Sequence, residues 1–193
     1  MASSQKGSRM LQGALKHSEG QGAEWLLAGL RGHVIEAYSS PDVAPYANHV
    51  LQLCLKVLPA EQCYFVLEEL MAGDIVTATC NKYGCRIVQS LVNGFPTKDV
   101  APLVEELLTR GTLIRLMFSR YGNFVVQCIL ESGSEDQKLC IGLALLEEGD
   151  QMFTRLSGNM YASHVVQKAL HWCPILMRAA LVARIGGIES RDS

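Results

Sequence analysis

No stretch of this chain is apolar for long enough to cross a bilayer, and its start, "MASSQKGSRM", lacks the apolar core of a secretory signal. An intracellular protein with no membrane partner is expected. The seven cysteines, at positions 54, 63, 80, 85, 128, 140 and 173, include no Cys-x-x-Cys pair. An odd number scattered through apolar segments predicts reduced, mostly buried thiols. Five histidines, spread singly, offer zinc no ligand cluster. There is no strand-like alternation, no glycine-rich phosphate loop and no pair of carboxylates at a catalytic spacing. Ser163 and His164 are adjacent, so on a helix they point in different directions and cannot act as nucleophile and base. Neither an enzyme nor a cofactor nor a metal is expected. Charged residues are few, 19% against 49% hydrophobic, which suits a folded core rather than disorder at 193 residues.

What the chain has is repetition. The segments "APYANHVLQLCL" (44–55), "NKYGCRIVQSLV" (81–92), "SRYGNFVVQCIL" (119–130) and "NMYASHVVQKAL" (159–170) share a tyrosine followed by an apolar-x-glutamine pattern. Gln52, Gln89, Gln127 and Gln167 fall in register at steps of 37, 38 and 40 residues. A fifth copy, "KGSRMLQGAL" (6–15), places Gln12 another 40 residues before Gln52. Periods in this range are the signature of solenoids. Within each unit a glycine precedes a short apolar helix, as in "GHVIEAYSS" and "GTLIRLMFS", and the tyrosine turn and a second helix follow. A third helix closes the unit, as in "AEQCYFVLEELMAG", with a glycine where a C-cap would fall. The expected fold is all-α, a solenoid of three-helix repeats spanning 6–187 with short tails at 1–5 and 188–193. Second helices are expected near 7–16, 47–56, 84–92, 122–131 and 162–171.

Positions i and i+4 share a helix face, and i+1 points about 100° away. The five i/i+4 pairs are Ser8/Gln12, Asn48/Gln52, Cys85/Gln89, Asn123/Gln127 and Ser163/Gln167. The i+1 residues are Arg9, His49, Arg86, Phe124 and His164. The apolar pairs Met10/Leu11, Val50/Leu51, Ile87/Val88, Val125/Val126 and Val165/Val166 are expected to pack inward. Every unit thus offers a small or amide residue, a flat side chain and a glutamine. Amides supply donors and acceptors for a base edge, and flat side chains supply a stacking face, which suits unpaired bases. One such glutamine alone would more often cap a buried carbonyl. A protein-binding scaffold of armadillo or HEAT type would share the helices, but it gives no reason for the same triplet in all five units.

These residues closely resemble a Pumilio-type (PUF) RNA-binding repeat domain, over about residues 6–187. "YGCRIVQ", "YGNFVVQ" and "YASHVVQ" follow the order of the later units of a standard eight-repeat domain, so the five copies correspond to the third to seventh family repeats. The resemblance implies a right-handed, curved solenoid whose concave face binds single-stranded RNA, one base per unit. The family code assigns Asn with Gln to uracil, and Cys or Ser with Gln to adenine. Family repeats run antiparallel to the RNA, so the implied target is 5′-AUAUA-3′. It further implies a cytoplasmic monomer acting on 3′ untranslated regions of messenger RNA, in translational or other post-transcriptional regulation, with repressor or decay-factor proteins as partners. A nucleolar-type relative with little base specificity is the alternative within the family. The family's seventh repeat usually carries glutamate where this chain has Gln167, which predicts a loss of guanine preference there. The flanking family units have no counterpart, as in a short member or a fragment. The insert "SSPDVAP" makes Asn48 the position most open to displacement.

Charge is distributed by helix. Windows around the second helices (5–16, 43–56, 81–93, 119–131 and 159–172) carry net +7 and the remainder net −9, within a total of −2. A basic strip for a phosphate backbone is expected along the second helices. Glu68, Glu69, Glu105, Glu106, Glu147 and Glu148 are expected on the outer helices, as candidate partner surfaces.

Overall fold

The computed structural model describes residues 4–17 and 21–189, and every regular element among them is helical. The chain divides into two compact units, residues 1–100 and 101–193. The first holds α1 (Gln5–His17), α2 (Gln21–Ala28), α3 (Glu36–Ser39), α4 (Ala44–Val57), α5 (Ala60–Ala72), α6 (Ile75–Thr79) and α7 (Gly84–Gly94). Helix α8 (Thr97–Leu107) runs across the division. The second holds α9 (Arg110–Phe118), α10 (Gly122–Ser132), α11 (Glu135–Glu147), α12 (Asp150–Gly158), α13 (Ala162–Trp172) and α14 (Ile175–Glu189). Of the expected tails, residues 1–3 and 190–193 lie outside the described residues.

The second helices are α1, α4, α7, α10 and α13, each within a few residues of its expected bounds. In the first unit α1 packs on α4 and α4 on α7; in the second, α10 packs on α13. The apolar pairs explain this stacking. Val50, Leu51, Ile87, Val88, Val125, Val126, Val165 and Val166 are all buried, and each is worth about 1.5–3 kcal/mol of transfer free energy. Met10 departs from the expectation at 66% exposed, because α1 packs closely only on α2 and α4 among the described helices.

Two of the glycines fall where expected, one closing a third helix and one opening a first helix, but without the left-handed geometry of a glycine cap. Gly73 is the C-cap of α5 but with φ −100°, Gly111 lies inside α9, and Gly149 is the N-cap of α12. Left-handed caps are therefore not what ends these helices. Gly32 is the one described residue with positive φ, at 80°. Its N–H donates to Glu69 Oε1 at 2.7 Å while Val34 N–H donates to Glu69 Oε2 at 3.0 Å. One carboxylate thereby holds the turn that opens its own repeat.

Comparable links recur at about one repeat's separation. Tyr64 Oη donates to Asp99 Oδ2 at 2.6 Å, and Arg110 lies 3.3 Å from Glu148. The Arg184 guanidinium donates to the carbonyls of Leu146 and Glu148 and lies 4.6 Å over the Phe153 ring. Three of the six glutamates expected to face partners are thus held by their own chain. Glu69 holds a turn, and Glu147 and Glu148 hold Arg110. Glu68, Glu105 and Glu106 remain exposed.

All seven cysteines are free thiols, five of them buried. Burial pushes the thiols of Cys63 and Cys173 up to about 11 and that of Cys54 up to about 12.

Candidate nucleic-acid interface

A polar turn sets the start of each later second helix. Asn81 Oδ1 accepts from Tyr83 N–H at 2.7 Å and Gly84 N–H at 3.1 Å. Asn159 Oδ1 accepts from Tyr161 and Ala162 N–H at 2.9 and 3.1 Å, and Ser119 Oγ accepts from Gly122 N–H at 3.0 Å. These bonds satisfy amides that a helix start leaves without intrahelical partners. The tyrosine ring carries a cation nearby in two units: Lys82 Nζ is 5.1 Å from the Tyr83 centroid and the Arg120 guanidinium 5.5 Å from that of Tyr121.

The i and i+4 residues meet in four of the five units. Gln12 Nε2 donates to Ser8 Oγ at 2.9 Å, Gln52 to Asn48 Oδ1 at 2.7 Å, and Gln127 to Asn123 Oδ1 at 2.8 Å. Gln89 Nε2 donates instead to the Cys85 carbonyl at 3.0 Å. The partners are themselves fixed. Asn123 Nδ2 donates to the Ser119 carbonyl at 2.7 Å and Asn48 Nδ2 to that of Ala44, while Ser8 Oγ donates to the Tyr46 carbonyl at 3.0 Å. Asn48 sits as deep as Asn123, both 1% exposed, so the long preceding turn has not displaced it. Cys85 is buried, its Sγ donating to the Lys82 carbonyl at 3.4 Å. Burial raises its thiol above the usual range despite the lowering effect of Arg86, which keeps it protonated near neutral pH.

The fifth unit differs. Ser163 is half-buried, and Gln167 is exposed and makes no side-chain hydrogen bond among the described residues. The residues between the members of each pair do not differ: Arg9, His49, Arg86, Phe124 and His164 are exposed in every unit. Each unit therefore presents an outward flat or planar group beside an amide, and in four units that amide is already oriented.

Between α4 and α7 these groups line a groove of about 560 Å³ that holds Gln52, Arg86 and Gln89, with Lys56, Ser90 and Asn93 extending it toward the helix C-termini. Ser90 and Asn93 escaped the sequence reading. They lie one and four residues beyond Gln89 and carry no repeated pattern. Not every cation of the basic strip is available, since Lys168 Nζ pairs with Glu131 Oε1 across α10 and α13.

The model of the Pumilio-family RNA binding repeat matches residues 45–71, 75–108, 113–142 and 153–185. The chain belongs to the Pumilio family. This is a family of RNA-binding repeats, not of enzymes. Helix α1 lies outside the matched residues, yet it reproduces the buried i residue and tethered glutamine of its neighbours. Pumilio homolog 9 of Arabidopsis thaliana is 27% identical over 188 residues, which cover 96% of this chain and 32% of that protein. The crystal structure of PUF-8 in complex with PBE-RNA superposes with a TM-score of 0.84 at 21% identity, over 96% of this chain and 54% of that one. The Puf4 RNA binding domain, bound to the HO endonuclease RNA 3′ UTR recognition sequence, gives 0.80 at 19% identity, over 95% and 54%. These superpositions show the α-solenoid fold of Pumilio repeats. The chain spans between about a sixth and a third of the length of the curated relatives it matches.

Proposed function

We propose that this chain binds single-stranded RNA, one base per unit, with a preference near 5′-AUAUA-3′. The observation that carries the reading is the tethered glutamine. With one Nε2–H engaged at position i, its carbonyl oxygen and remaining N–H are left for a base edge, and the exposed i+1 side chain is placed to stack. The Puf4 domain's complex with a 3′ UTR recognition sequence supports the same class of ligand. By extension the chain acts on messenger RNA 3′ untranslated regions in the cytoplasm, as a monomer that recruits repressor or decay factors. Five bases recur about once per 10³ nucleotides, so partners are needed for selectivity across a transcriptome.

The test is fluorescence anisotropy with labelled RNAs containing 5′-AUAUA-3′, 5′-GUAUA-3′ and a scrambled sequence, at near-physiological salt. Preference for the first is expected. Equal weak binding to all three would indicate a nonspecific relative, and no binding would overturn the RNA reading.

Two variants sharpen the result. A carboxylate accepts from both guanine N1–H and N2–H₂, whereas an amide can donate to adenine N1. Gln167→Glu is therefore expected to shift preference to the 5′-G target; equal affinity for the two RNAs would refute the role of this position. Lys82→Ala is expected to weaken all RNAs alike and to reduce the salt slope by about 0.7 for a single strand. A base-selective loss would show that Lys82 does more than attract phosphate.

A further inference from the structure

Helix α11 is apolar on two opposite sides. Ile141, Ala144 and Leu145 are buried in the second unit, and Gly142 lies so near α14 that an added Cβ would sit 2.4 Å from Met177 Cγ. On the other side Leu139 and Leu143, one helical turn apart, emerge at 37% and 43% exposure. A helix at a protein surface ordinarily carries polar residues there. Two of its counterparts do so, and the other two carry only an exposed alanine, Ala28 in α2 and Ala183 in α14. Counted from the glutamine of each second helix, the position of Leu143 is occupied by Glu68 in α5 and Glu105 in α8, both exposed. In α11 a leucine has taken this solvent-facing position.

The two leucines join Leu108 and Ala144 in a groove of about 400 Å³, bordered by Arg110, Asp136, Cys140 and Glu147. Arg110 is already engaged, 3.3 Å from Glu148 and 3.6 Å from Glu147. The border therefore sets two carboxylates, Asp136 and Glu147, against one guanidinium that is already paired. From this the geometry points to a docking site for a basic amphipathic helical segment of a protein partner. Its apolar side chains lie over Leu139 and Leu143, and its lysines or arginines face Asp136 and Glu147. Apolar contact supplies affinity and the acidic border selects the sign of the partner's charge. The same border repels RNA, so this surface is independent of the base-reading face and stands whether or not the RNA reading does.

The probe is a displayed library of random 16-residue peptides, selected against the whole chain. Enriched sequences are expected to carry large apolar residues at helical spacing together with lysine or arginine. Their synthetic forms are expected to bind Leu143→Glu, which introduces the glutamate found in α5 and α8, roughly tenfold or more weakly. A second readout needs no variant. Cys140 is the one exposed cysteine of the seven, so its alkylation by iodoacetamide is expected to slow when an enriched peptide is added. No enrichment, an acidic consensus, undiminished binding to Leu143→Glu, or unchanged alkylation of Cys140 would each overturn the proposal. Concentration-dependent dimerisation abolished by Leu143→Glu would overturn it too, by making a second copy the occupant.

Discussion

Gln127→Ala is expected to weaken binding to an RNA carrying the implied uracil at the second position of 5′-AUAUA-3′ by about 1–3 kcal/mol, and to reduce discrimination at that base alone. The magnitude follows from the position. Gln127 is held by Asn123, which is 1% exposed and itself anchored to two carbonyls, Ser119 at 2.7 Å and Arg120 at 3.1 Å. Two rotamers are therefore settled before any ligand arrives, and binding loses little further side-chain entropy. Substitution removes the base contact and leaves the Asn123 acceptor without its donor, but Asn123 keeps its two donated bonds, so the fold should persist. Asn123→Ser separates the two effects. It replaces the amide acceptor at position i by a hydroxyl, as in Ser8/Gln12, and by the family code converts the preference at this base from uracil to adenine. Anisotropy with a set of RNAs varied at the one base measures both variants. If Gln127→Ala bound every member as well as the parent, modular readout would be wrong.

The periodicity made the second helices legible, because five copies at 37 to 40 residues repeat both the apolar pair and the glutamine. Burial of Val50, Ile87, Val125 and Val165 follows directly from that register. Spacing also placed i and i+4 on one face, but it did not reveal that the two side chains bond to each other. Nor did it show that Gln167 stands apart from the other four, since Ser163/Gln167 and Ser8/Gln12 are identical as pairs. Only the depth of the serine separates them, buried in α1 and half-buried in α13. That depth depends on neighbouring helices rather than on local sequence. The inward packing expected of Met10 failed for a related reason. A helical pattern says which residues share a face, but not whether another helix covers it.

Gly84 shows the same limit in its largest energetic form, and Gly84→Ala is expected to destabilise the protein by about 1–3 kcal/mol net. By local propensity the change should help, since alanine in a helix is favoured over glycine by about 1 kcal/mol. A Cβ at this position would, however, stand 2.3 Å from the Ala78 carbonyl oxygen. The obstacle is backbone, which cannot rotate aside as a side chain can, so α6 or α7 must move. Equivalent positions in α4 and α13 hold Ala47 and Ala162, both buried. Those units have longer segments from the opening glycine to the tyrosine, Gly32 to Tyr46 and Gly149 to Tyr161, while α7 and α10, which follow the shorter segments, both begin with glycine. Gly111→Ala is the control: it lies in α9 with open space where its methyl would stand, so propensity should prevail and stabilise by about 0.5–1 kcal/mol. Thermal unfolding measures both, at about 2–4 °C per kcal/mol for a chain of this size. Opposite shifts in midpoint are expected. A Gly84→Ala protein as stable as the parent would show that the short turn yields at little cost, and that the glycine is not required by close approach.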